Sequence, residues 1–166
     1  MIGLCRVARG ERQAAAKELR WLQGLCDTYR LTADNFDAAL KFCLHLEARI
    51  AEAEKLWDKA GKLHRELLAM KTRLSFWITY YSYPFFLNEY AEFRLRQRDL
   101  PGANEAVSQC LAFNPNYTPV LWTQASLLKA QGDAGYRDVL RRIAVIYGPG
   151  GDRNRLRDKL AAELSK

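Results

Sequence analysis

Residues 111–133 read LAFNPNYTPVLWTQASLLKAQGD, and the fold turns on how this stretch relates to the residues before it. Leu121, Ala125, Gln131 and Asp133 each repeat a residue found 34 positions earlier, at Leu87, Ala91, Gln97 and Asp99. A fixed offset in apolar and turn residues marks an array of like helical units that propensity alone would hide. Arg98-Asp99 and Gly132-Asp133 stand where the chain has to reverse between two helices. After the first of these turns Ala103, Val107 and Cys110 keep a spacing of four then three, which is one helical face. Asn114-Pro115-Asn116 then ends one unit and starts the next. Ala91, Ala103 and Ala125 are small where antiparallel helices need to approach closely.

This arrangement resembles the tetratricopeptide repeat, a helix-turn-helix unit patterned as large apolar, apolar plus small, turn, then Ala, aromatic and Pro. The resemblance covers residues 84–166, and the chain departs from the pattern in places. Arg94 and Leu128 stand where the family prefers an aromatic, and Tyr90 and Gln124 where Leu is usual. Past the second turn, Val139, Ile143 and Ile146 restore the four-then-three spacing only if two residues are inserted around 134–136. Gly148-Pro149-Gly150-Gly151 breaks the chain where Pro alone would end the unit. Asp152 is placed to cap a last helix whose Leu156, Leu160 and Leu164 recur every four residues, a narrow stripe suited to a capping helix.

The resemblance implies an all-α helical-hairpin repeat array wound as a right-handed superhelix. It places one unit at residues 84–117, a degenerate one at 118–151 and a capping helix at 152–166. It also implies a non-catalytic protein-protein interaction module of adaptor, scaffold or co-chaperone type, without a cofactor. In such modules the first helices line a concave groove that receives a peptide or helix of another protein. Carried onto this chain, Phe85, Asn88, Glu92 and Arg96 of the first unit and Trp122, Ser126 and Lys129 of the second face that groove. Trp122 is its strongest anchor. The carboxylate-clamp variety needs a basic residue and asparagines here, and Glu92 argues against it.

Residues 1–83 do not fit the same frame: 34 positions before Asp99 lies Arg65, inside an unbroken helical pattern. The pattern predicts a helix over 11–28, with Ala15, Leu19, Leu22 and Cys26 on one face, then a break at 31–35 with Thr32 as N-cap. From Ala33 a long helix is expected to at least Lys59, with Phe36, Leu40, Cys43, Ile50 and Trp57 on its stripe. It either hinges at Ala60-Gly61-Lys62 or continues through Leu63, Leu67, Met70 and Leu74. Pro84 is expected to close this block by removing an amide donor. These helices read as divergent hairpins that complete the stack, since about three units are needed for a stable array, and the whole reads as one compact domain.

The 166 residues are 49% hydrophobic and 27% charged, which excludes a disordered chain. The longest apolar stretch, 74–87, is interrupted by Pro84 and too short to span a bilayer. Arg6, Arg9, Glu11 and Arg12 leave no room for the apolar core of a secretory signal, so a cytoplasmic location is expected. Cys5, Cys26, Cys43 and Cys110 show no CxxC spacing and read as buried reduced thiols. His45 and His64 lie far apart, and no metal site is expected. No GxGxxG, GxxxxGK[ST], GxSxG or HExxH occurs, and Glu52 and Glu54, two apart on a helix, do not face each other, so catalysis is not expected.

Two other readings rest on charge and on aromatics. Residues 134–166 hold eight basic against four acidic residues. Arg137, Arg141, Arg142, Arg153, Arg155 and Arg157 could therefore serve a helical module that binds nucleic-acid phosphate, an alternative to protein binding. Nine of the nineteen aromatics fall in residues 76–93. They pack the interior, form a partner-binding surface or bury themselves in a homo-oligomer.

Overall fold

The computed structural model describes residues 2–28, 33–70, 76–147 and 154–164. Every secondary-structure element among them is a helix: α1 (Ile2–Ala8), α2 (Arg12–Thr28), α3 (Ala33–Ala53), α4 (Trp57–Ala69), α5 (Phe76–Arg96), α6 (Leu100–Phe113), α7 (Thr118–Ala130), α8 (Tyr136–Tyr147) and α9 (Asn154–Leu164). None of these is long and apolar enough to cross a membrane. The chain divides into two compact units, Met1–Phe86 and Leu87–Lys166, with the division inside α5.

In the first unit α3 packs against α2 and α4, and α1 against α2 and α3. Ala15, Leu46 and Ile50 form a buried cluster there with Leu4, Val7, Leu19 and Leu22 around it. The expected helix over 11–28 is present as α2, preceded by a short α1 that the periodicity did not reveal. The long helix expected from Ala33 breaks earlier than Ala60-Gly61-Lys62. Glu54-Lys55-Leu56 is the turn, and Gly61 sits buried inside α4. Lys55 takes a left-handed conformation (φ 61°). Its N–H donates to the Glu52 carbonyl at 3.0 Å and the Leu56 N–H to the Ala51 carbonyl at 2.8 Å. This pair of bonds is a Schellman closure, which satisfies carbonyls left open at a helix end. Pro84 does not end a helix either: α5 continues through it, although proline gives no amide donor there.

In the second unit the offset of 34 seen in the sequence recurs in the backbone. Arg98 (φ 60°) and Gly132 (φ 74°) are the left-handed residues of two turns with the same bonding. Asp99 N–H donates to the Arg94 carbonyl at 3.0 Å and Asp133 N–H to the Leu128 carbonyl at 2.9 Å. Asp99 then caps α6, its Oδ1 accepting the Gly102 N–H at 3.0 Å. Asp133 Oδ1 instead accepts the nearer Gly135 N–H at 2.7 Å. That extra turn starts α8 two residues later than a strict offset from Leu100 would, matching the expected insertion. The stripe of α8 is shifted, however. Leu140 and Ile143 are buried, Val139 is only partly covered, and Ile146 is exposed. Leu121 and Ala125 of α7, Leu140 and Ile143 of α8 and Leu160 of α9 form one buried cluster.

Candidate functional site

Trp122, Ser126 and Lys129 follow one another along α7 at i, i+4 and i+7, the spacing of a single helical stripe. Their neighbours Leu121 and Ala125 are held in the core, which fixes how this stripe points. The three line a cleft of about 190 Å³ together with Tyr136 and Leu140 of α8 and Lys159 and Glu163 of α9. Lys159 places its ammonium 4.5 Å from the centre of the Trp122 ring, a cation–π contact. Lys129 Nζ donates to Glu163 Oε2 at 2.6 Å and lies 5.6 Å from the Tyr136 ring centre. That carboxylate raises the Lys129 pKa above its ordinary value. The Ser126 hydroxyl donates back to the Trp122 carbonyl at 3.0 Å. Trp122 Nε1 is buried and has no acceptor among the described residues.

The cleft thus offers an indole ring with one ammonium already on it, a second ammonium neutralised by Glu163, and, sealed beside it, an N–H donor. A peptide backbone or side-chain oxygen is the chemistry that would satisfy such a donor.

The other residues expected in the groove fall elsewhere. Asn88 is 4% exposed. It accepts from the Thr123 hydroxyl at 2.8 Å and donates through Nδ2 to Glu92 Oε1 at 3.1 Å. Glu92 in turn pairs with Arg96 at 3.5 Å. These three therefore form a polar ladder along α5 that is tied to α7 by Thr123, a residue the sequence reading did not single out. Phe85 belongs to the first unit, where it meets His45 and Phe86 edge-on, each 5.3 Å away.

The arginines expected to form a basic patch are partly engaged. Arg141 pairs with Asp138 at 2.5 Å, and Arg137 lies over Tyr136 at 5.1 Å. Arg142 donates to the Pro115 carbonyl at 2.8 Å and to Asn116 Oδ1 at 3.1 Å, tying α8 to the loop before α7. Arg153 and the side chains of Arg155 and Arg157 lie outside the described residues.

Buried polar pairs occur where sequence gave little warning. Glu52, at the interior face of α3, holds His64 Nε2 at 2.9 Å and Arg49 at 3.1 Å, with the imidazole fully sealed from water. Lys41 donates to the Ser82 hydroxyl at 3.1 Å, and burial lowers its pKa. Cys26 and Cys43 lie 3.4 Å apart, sulfur to sulfur. Cys26, Cys43 and Cys110 are buried as expected, but Cys5 is exposed. Among the described residues no three His, Cys, Asp or Glu side chains gather as a metal would require. Compared with known proteins, the chain matches no protein-family model, and no curated protein is similar enough to count as a relative.

Proposed function

We propose that this chain is a non-catalytic, tetratricopeptide-like helical module that binds a peptide or helix of another protein in the cleft between α7, α8 and α9. The observation that carries the reading is the convergence of Trp122, Ser126 and Lys129 on one cleft, where the buried indole N–H has no acceptor among the described residues. The two turns of identical bonding 34 residues apart support the repeat character of this half. Recognition would require the side chains around Trp122 to open, Lys159 leaving the ring, so that a partner oxygen takes the buried N–H while an apolar side chain covers the indole. Affinity should then rest on Trp122 far more than on its neighbours.

The test is co-purification of partners from cells at low and at high salt, with wild type and Trp122→Ala in parallel. A protein kept by wild type in high salt and lost by the variant, with circular dichroism unchanged, is the expected outcome. If Trp122→Ala keeps every partner, the cleft is not the site. If only nucleic acid is retained and salt removes it, the basic residues of α8 and α9 take its place.

A further inference from the structure

Two of the four cysteines stand face to face. Cys26, near the end of α2, and Cys43, inside α3, are 6% and 4% exposed, and their sulfurs are 3.4 Å apart. The two helices that carry them pack against each other. A disulfide holds its sulfurs at about 2.05 Å, so roughly 1.4 Å of closure, less than the length of one C–C bond, separates this thiol pair from a covalent link.

A single buried cysteine is ordinary packing, and Cys110 fits that description. Cys26 and Cys43 differ because each has beside it the second sulfur that can resolve a mixed disulfide. They lie 17 positions apart, and a cross-link that closes such a ring restricts the unfolded chain far more than a folded chain that already holds the sulfurs together.

We propose that Cys26 and Cys43 form a reversible disulfide that fastens α2 to α3, with a low-molecular-weight disulfide such as oxidised glutathione as the oxidant. One cysteine, as its thiolate, attacks a glutathione sulfur, forms a mixed disulfide and expels one glutathione thiolate. The other cysteine, having also lost its proton, attacks the protein sulfur of that mixed disulfide and expels the second glutathione. Two protons and two electrons thus pass from the protein thiols to the glutathione disulfide, which leaves as two thiols. Burial, with Cys26 beside it, lifts the Cys43 thiol to about 12, so at neutral pH the exchange is slow, and the same burial shields the closed bond from reductants. The pair therefore registers a lasting oxidising environment rather than a brief pulse. The inference is independent of the cleft on α7 to α9.

The experiment equilibrates the whole chain, folded and in urea, with glutathione buffers of rising oxidised-to-reduced ratio, starting from both reduced and oxidised protein. Samples are quenched with acid, alkylated in denaturant and digested with trypsin without reduction. Trypsin leaves the two sulfurs on separate peptides, 21–30 and 42–49, which should be recovered joined. The folded chain should close the pair with at least about 10-fold less oxidant than the urea-unfolded chain. By linkage the urea midpoint of the wild type should rise on oxidation. Neither Cys26→Ala nor Cys43→Ala should show that rise, whatever its own stability. Free thiols at the most oxidising ratio, or separate glutathione adducts on Cys26 and Cys43, would overturn the proposal. So would equal ratios for the folded and unfolded chain, because closeness in sequence alone would then bring the sulfurs together. A link from either cysteine to Cys5 in the folded chain would assign the bond to a different pair.

Discussion

Burial of single polar atoms decides how several residues of this chain behave. Cys110 is enclosed by α6 and its neighbours, and this desolvation pushes its thiol from 9.0 up to about 12. Between those values the unfolded chain has released a proton that the folded chain keeps. Stability therefore falls as pH rises past 9.0, by at most about 1.4 kcal/mol per pH unit for each such thiol. Cys43 acts in the same direction, its thiol also lifted to about 12 by burial and by Cys26. Cys110→Ala should lower stability at neutral pH through the lost packing and yet flatten the alkaline decline, as urea titrations on both sides of the thiol's ordinary value would measure. Asn88 poses a related question, because the family resemblance placed it in a groove whereas its side chain bonds Thr123 and Glu92. Thr123→Val removes the donor and leaves a buried carbonyl oxygen short of a partner, a loss of about 1–3 kcal/mol in urea unfolding. Asn88→Leu combined with Thr123→Val should cost less than the sum of the two, the mark of a shared bond.

At the scale of elements, the turns explain what the sequence could and could not disclose. Four turns close with the same Schellman bonds, at Gly10, Lys55, Arg98 and Gly132. Glycine announces two of them, being the residue that takes a positive φ without steric penalty. Lys55 announces nothing, which is why α3 and α4 read as one helix and a break was sought at Gly61 instead. The repeat offset was legible only in the second unit. Its left-handed residues are 34 apart, whereas those at 10, 55 and 98 are 45 and 43 apart. The wider spacing follows from length: α3 and α5 each run 21 residues where α7 runs 13. Arg98→Gly and Lys55→Gly should each stabilise the chain by about 0.5–1 kcal/mol, since the side chain's left-handed strain exceeds the entropy that glycine adds to the unfolded state. Gly132→Ala should do the opposite by about 1 kcal/mol. Nothing lies within 4 Å of the added methyl, so its whole effect is backbone strain. Urea midpoints of the three variants check the sign of each.

For the whole molecule, the formal charge of +7 is the property most open to a second reading, because a basic protein is drawn to nucleic acid. Residues 134–166 supply +4 of it, eight basic against four acidic side chains, and residues 1–133 the other +3, eighteen against fifteen. Of the arginines that suggested a phosphate-binding face, Arg141 is paired with Asp138 and Arg142 is bonded to the loop at Pro115 and Asn116. The eight-to-four count over 134–166 was legible in the sequence, but those partners were not. Arg142 reaches a carbonyl 27 positions away, a contact that no local pattern encodes. Engaged cations neutralise fewer phosphates, and the number neutralised sets how steeply affinity falls with salt. A labelled single-stranded or duplex oligonucleotide should accordingly bind weakly, without sequence preference, and be released on going from about 50 to about 200 mM salt. Arg141→Ala with Arg142→Ala should shallow the salt slope by less than the two units that two free phosphate contacts would contribute. A complex that survives 200 mM salt, or a slope that drops by the full two units, would show that these arginines leave their present partners for phosphate, and the protein-binding reading of the second unit would then yield to a nucleic-acid one.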